Sequence, residues 1–324
     1  MWVNLYLQKI YVLQYLRMIS TYKHKNTVWI DLESPSAKEI RQIAEKYSLD
    51  PNIANDLLTP SYRPYVDVHK DNIYLILHFP IISDKINSAN ENRFHEIDFV
   101  IGKDYLITNR YEPYSSILEF SKVFEVDSIL DKSNMSMNGG FIFFYMLKHL
   151  YLNLYNKLEA LKEKIKTAED EIFSGNERRM VWEFSHLNRQ LINFKSAFSM
   201  HHDVLKNLLQ ASDDFFGPDF KYYAKTIIGE YLKVKNEIVS VKDYLDELRE
   251  TNNSLLSTKQ NEIMKTLTVI TFLVLPLTLI ANIFNMNTTS TPILGSSNDF
   301  GIIIIIMAVF SLFTYGVIRY NKWL

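Results

Sequence analysis

Between Asn261 and Asn287 the chain reads NEIMKTLTVITFLVLPLTLIANIFNMN, and from Leu267 to Phe284 it carries no charge. This apolar part makes roughly 27 Å of helix, enough to cross the hydrocarbon core of a bilayer. Its polar residues are ordered. Asn261, Met264, Thr268, Thr271, Leu275, Thr278, Asn282 and Asn285 step by three and four in turn, so they share one stripe of a helix. Most of them end in an amide or a hydroxyl, and none is ionised. Other faces hold Leu273, Val274, Leu277, Leu279 and Ile280, which suit lipid or a neighbouring helix. Three readings are open for such a stripe. Threonines in membrane helices bond the carbonyl four residues back, polar residues also join helices to one another, and a polar face can line water. The length of the stripe, with Asn at both ends, favours water.

A second uncharged run, Phe300–Ile318, is also long enough to span. The loop between them, 288–299, holds one acid and no base. Lys259 and Lys265 precede the first span, whereas Arg319 and Lys322 follow the second in the basic tail 319–324. Positive flanks on one side and a base-free loop on the other predict that both termini are cytoplasmic, in the cell's inner membrane. Two spans, only one of them striped, cannot enclose an aqueous path. A pore would need several copies with the first span inside and the second outside.

The rest of the chain divides by period. Residues 1–27 read as an N-terminal extension, with Met18 a second candidate start. Residues 28–140 read as a cytoplasmic α/β domain. Strands are expected at Val28–Leu32, Tyr65–Val68, Ile73–Phe79, Phe94–Ile101 and Tyr105–Thr108, each rich in β-branched or aromatic residues. Pro35-Ser36 opens a helix through Tyr47, Asp50 caps a short helix to Leu58, and another helix covers Ser115–Phe124. Residues 83–92 form a polar loop, and the Ser/Asn/Gly-rich 133–140 a joint. From 141 to 260 the period is helical and predicts a stalk bundle. Leu147, Leu150, Leu154, Leu158, Leu161 and Ile165 form one seam. A second helix is expected from Glu177 to Gln210. A third, starting near Asp219, meets no proline before Pro276 and would run about 65 residues into the membrane.

Several function classes fall away. The chain has no cysteine, which removes thiol nucleophiles, disulfides and Cys-ligated zinc. Its net charge of −2 gives no nucleic-acid footprint. No catalytic triad, phosphate-binding loop or dinucleotide fingerprint has the needed spacing, so neither an enzyme nor an organic cofactor is expected. His201-His202-Asp203 is a weak metal motif, because adjacent helical residues face different ways. His95-Glu96 sits in a strand, where neighbours point to opposite faces. A two-span receptor with a coiled stalk would need a ligand-binding domain that the short loop 288–299 cannot supply.

The segments NEIMKTLT, PLTLIA, an aromatic ahead of Met286-Asn287 and a closing KWL resemble the CorA family of divalent-cation channels. WIDL, SLDP and RPYV extend the likeness more loosely over the cytoplasmic part. The family signature at the outer end of the first span is Gly-Met-Asn, and this chain has Asn285-Met286-Asn287. The resemblance implies a homo-oligomer, a pentamer, with an α/β cytoplasmic domain, stalk helices and two spans per chain. It implies a channel for hydrated Mg²⁺, with Co²⁺ or Ni²⁺ as further cargo, gated by divalent cations on the cytoplasmic side. Its partners would be further copies of itself, divalent cations and membrane lipid. Asn261, Met264, Leu267, Thr271, Leu275 and Thr278 match the family's pore positions, and Asn282 continues the stripe. Glu250 matches a regulatory acid on the stalk, with Asp84 as its candidate partner. A zinc or other transition-metal transporter of the same fold is the alternative.

The residue chemistry accords with a hydrated ion. Magnesium holds its water shell tightly. Neutral oxygens can accept hydrogen bonds from that shell without stripping it, whereas an ionised group inside the membrane is costly. Asn285 and Asn287 would capture the ion at the mouth. Met264 and Leu267 would form an apolar constriction near the cytoplasm. Glycine in the signature would serve a left-handed backbone, which Asn also tolerates. The replacement would therefore keep the turn while adding an amide, or would narrow the entrance.

Overall fold

The sheet is built around β2 (Thr27–Glu33), whose Trp29, Ile30, Leu32 and Asp31 are all buried. The computed structural model describes residues 18–81, 94–130, 138–217, 220–286, 293 and 298–320. Six strands order as β1-β2-β6-β5-β4-β3: β1 (Met18–His24), β3 (Val66–Val68), β4 (Asn72–Pro80), β5 (Phe94–Gly102) and β6 (Tyr105–Arg110) complete it. Only β2 and β6 pair in parallel, with Val28 opposite Tyr105; every other pair is antiparallel. β1 lies inside the segment expected to be an extension. It pairs along its whole length with β2, Met18 opposite Glu33 and His24 opposite Thr27.

Strand β4 is buried along its whole length because the sheet is covered on both faces. On one face Ile30, Leu32, Tyr74, Ile76, Val100 and Ile107 meet α1 (Ala37–Tyr47) and α2 (Pro51–Asp56). Both helices start where the caps predict. Ser36 and Glu39 form a reciprocal capping box, and Asp50 accepts the Asn52 N–H at 2.8 Å. On the other face Trp29 meets Phe120 and Phe124 of α3 (Ser115–Leu130), and Phe99 meets Phe143 of α4 (Gly139–Phe173) edge-on. The joint before α4 ends in glycine for a steric reason. A Cβ on Gly139 would lie 2.1 Å from the Tyr105 carbonyl oxygen and 2.3 Å from that of Gly102.

Beyond the sheet, α5 (Glu177–Phe198) and α6 (His201–Phe216) replace the single helix expected over 177–210. The break at Ser199-Met200 lets His201 turn inward. Its Nε2–H donates to the His78 carbonyl at 2.8 Å, and its Nδ1 accepts from the Tyr151 hydroxyl at 3.1 Å. The long helix α7 (Phe220–Phe284) has the expected extent and carries Pro276 without interruption. Helix α8 (Asp299–Tyr320) follows, its first N–H groups met by Asp299 and Asn298.

The chain divides into two compact units, Met1–Ser174 with Arg179–Glu247, and Gly175–Arg178 with Leu248–Leu324. This differs from the expected partition at 140 and 260, since sheet and helical bundle share the first unit. Within that unit α4 and α7 run parallel and in step. Lys162 pairs with Glu237 at 3.0 Å and the Tyr244 hydroxyl donates to Glu169, both across 75 residues of sequence.

Candidate functional site

Among the described residues, the striped part of α7 and the whole of α8 in the second unit are the two helices long and apolar enough to cross a membrane, and almost none of either apolar window is buried in a single chain. Asn261, Met264, Leu267, Thr271, Leu275, Thr278 and Asn282 are all exposed on α7. Four of them, Thr271, Leu275, Thr278 and Asn282, line one shallow trough of about 520 Å³ together with Ile270, Val274 and Leu279. Thr268, Thr271 and Thr278 donate their hydroxyl protons to the carbonyls of Met264, Leu267 and Val274, at 2.8, 2.8 and 3.0 Å. The back-bonding common to threonines in membrane helices is therefore present here. It also fixes what each threonine offers outward: with its proton committed, Oγ1 presents only lone pairs.

The C-terminal end of α7 differs from expectation at one residue. The Asn285 N–H bonds the carbonyls of Ala281 and Asn282, both at 3.1 Å, which continues the helical turn. Asn285 is not among the described residues with positive φ. No left-handed conformation has to be tolerated there, so the argument from glycine's backbone freedom does not apply. Asn285 and Met286 are exposed, and Asn287 lies outside the described residues. Glu250 is exposed on α7. Asp84, its expected partner, also lies outside the described residues. Among the described residues no group of three or more His, Asp or Glu is arranged to hold a metal ion.

Other polar groups belong to the fold. His201 is fully buried with both nitrogens engaged, and burial pushes its pKa down to about 3, so it stays neutral. His202 remains outside, against Asp203. A smaller cavity of about 290 Å³ opens beside Ser61, Tyr111 and Glu96. Both Glu96 oxygens accept the Ser61 N–H at 2.8 Å, and His78 Nε2 lies 3.1 Å away, so this carboxylate is consumed by structure. Two residues along the same face, Asp98 is fully buried. Its Oδ2 accepts from Asn109 at 2.8 Å and from Tyr111 at 3.1 Å. Burial, then the neighbouring Glu96, hold the Asp98 carboxyl well above the usual range. The sequence reading missed this network, because it joins three strands and two loop residues distant in sequence.

A mixed-sheet domain, a long helix carrying a neutral polar stripe, and a second bare apolar helix define a two-span membrane protein with a large water-facing domain. The model of the CorA-like Mg²⁺ transporter protein family matches residues 24–319, and the chain belongs to that family, which is one of membrane transporters rather than enzymes. The cobalt/magnesium transport protein CorA of Thermotoga maritima is 20% identical over 303 residues, covering 91% of this chain and 83% of that protein. The complete structure of the CorA magnesium transporter from Methanocaldococcus jannaschii superposes with a TM-score of 0.79 at 19% identity, covering 92% of both chains. The full-length CmaX protein superposes with a TM-score of 0.69 at 14% identity, covering 92% of this chain and 89% of that one.

Proposed function

We propose that the chain assembles as a homopentamer around α7 and conducts hydrated divalent cations, Mg²⁺ first among them, across the cytoplasmic membrane. Both termini lie in the cytoplasm. The observation that carries this reading is the trough on α7, where outward lone pairs of Thr271 and Thr278 alternate with Leu275 and end at Asn282. The waters around Mg²⁺ point their hydrogens outward and need acceptors; a ring of committed threonine hydroxyls is an acceptor surface without charge. Cobalt and magnesium are the cargo named for the Thermotoga relative, which supports the same ion class here. Asn285 and Asn287 take the ion at the outer mouth. Met264 and Leu267 form the inner constriction, and cytoplasmic divalent cations, acting through Glu250 and Asp84, hold the channel shut.

The stripe contains no imidazole, thiolate or carboxylate, which argues for a hard, hydrated ion over zinc. The test is Mg²⁺ entry into proteoliposomes, read by an internal dye, for the native chain and for Asn287→Ala. Native flux with a marked loss in the variant is the expected result. Equal flux in both, or zinc flux that magnesium does not compete, would remove the proposal.

A further inference from the structure

We infer that the ion pair between Glu177 and Lys259, with Asn252 beside it, is a latch on the stem of the pore helix, made in one gating state and released in the other. The inference rests on the reading of α7 as the pore helix. The hairpin tip Gly175–Arg178 belongs to the same compact unit as Leu248–Leu324, rather than with the helices it joins. Glu177 makes two of the contacts that hold it there. The Glu177 carboxylate accepts from Lys259 Nζ at 2.7 Å, and its carbonyl accepts from the Asn252 side chain at 3.1 Å. Those two partners stand seven residues apart on α7, about two turns, so they grip the start of α5 from above and below.

The two contacts differ in character. Asn252 is buried, whereas Lys259 is half exposed. Lysine, together with the backbone at the start of α5, keeps the Glu177 carboxyl below its ordinary range, so the pair is charged at neutral pH. A pair half open to water is weak enough to be broken and remade. Gly175, at φ +94°, makes the turn that brings Glu177 to Lys259. Lys259 lies two residues before Asn261 and five before Met264 on an unbroken helix. A helix is stiff over so short a span, about 8 Å, so the stem cannot shift at Lys259 without moving the constriction.

The chain lacks cysteine, so a Glu177→Cys/Lys259→Cys variant carries the only thiols. In proteoliposomes, joining them with a short bis-methanethiosulfonate should abolish the difference between Mg²⁺ flux in cytoplasmic chelator and in cytoplasmic Mg²⁺. Reduction should restore it. Glu177→Gln and Lys259→Gln should each shift the Mg²⁺ concentration that half-inhibits flux, and the exchanged pair Glu177→Lys/Lys259→Glu should return it toward the native value. Full cross-linking with an intact Mg²⁺ response, failure of the short linker to join the thiols, or single variants with native thresholds would overturn the latch. Absence of flux in the native protein would instead remove the pore reading on which it rests.

Discussion

Replacing Thr278 by valine tests the acceptor surface with almost no change of shape. Valine keeps the β-branch and the volume but loses Oγ1, and with it the lone pairs turned toward the trough. The helix itself loses little. The Val274 carbonyl still receives the N–H of residue 278 as any helical carbonyl does, so the stability change should stay within about 0.5 kcal/mol. The effect on conduction is multiplied by symmetry. A neutral hydrogen bond is worth at least about 0.5 kcal/mol net, and in the proposed pentamer five chains each losing one acceptor for the ion's water shell give about 2.5 kcal/mol. If that falls on the barrier, flux drops about 70-fold. Thr314 supplies the control, since its hydroxyl bonds the carbonyls of Phe310 at 3.0 Å and Ser311 at 2.9 Å on the other span. Mg²⁺ entry into proteoliposomes would be compared for Thr278→Val and Thr314→Val, with size-exclusion profiles showing equal assembly. Native-like flux in Thr278→Val, or an equal loss in Thr314→Val, would refute the reasoning.

Two further predictions concern the water-facing domain. His201 is held near 3 when folded and titrates near 6.5 when unfolded. A lowered base means that the unfolded chain takes up the proton first, so stability falls as pH drops below 6.5. Between pH 7 and pH 5 the loss should be about 2 kcal/mol, and His201→Gln, which can donate to His78 and accept from Tyr151 but cannot titrate, should flatten that slope in thermal melts. An unchanged acid slope in the variant would count against a neutral, buried His201. Asp98 has the opposite sign: its folded pKa is raised, so its contribution is present in acid and fades as pH rises through that raised value. Asp98→Asn should remove this loss of stability with rising pH while keeping the bond from Asn109, and an unchanged pH dependence of the melting temperature would contradict a proton held on the carboxyl.

What the sequence disclosed and what it hid follow from the range of the forces involved. The capping box at Ser36, the Asp50 cap and the extent of α7 are written in neighbouring residues. The stripe was equally legible, because one helix carries all of it. Strand β1 was not. MISTYKH has no strong apolar alternation, and its place comes from pairing with β2. The break between α5 and α6 was hidden for a related reason, since its cause is a hydrogen bond from His201 to a carbonyl 123 residues away. The Glu177–Lys259 contact spans 82 residues, and neither residue stands out from the many charges around it. At Asn285 a family motif led the reading toward a left-handed turn, where the local chain continues its helix.

The polar stripe also bears on assembly, through the difference between threonine and asparagine. A back-bonded threonine satisfies its own proton and can face lipid at little cost, so Thr271 and Thr278 alone would not demand a partner. An asparagine amide carries two donors and an acceptor, and the N–H and C=O groups within a helix are already paired with each other. Left against hydrocarbon, each unmet polar group costs several kcal/mol. Asn282 is exposed within the apolar helix, and so are Leu279 and Ile283 on either side of it. Among the described residues a single chain leaves this amide uncovered. The amide must therefore face an aqueous path or another copy's polar surface, and a ring of copies around α7 supplies both.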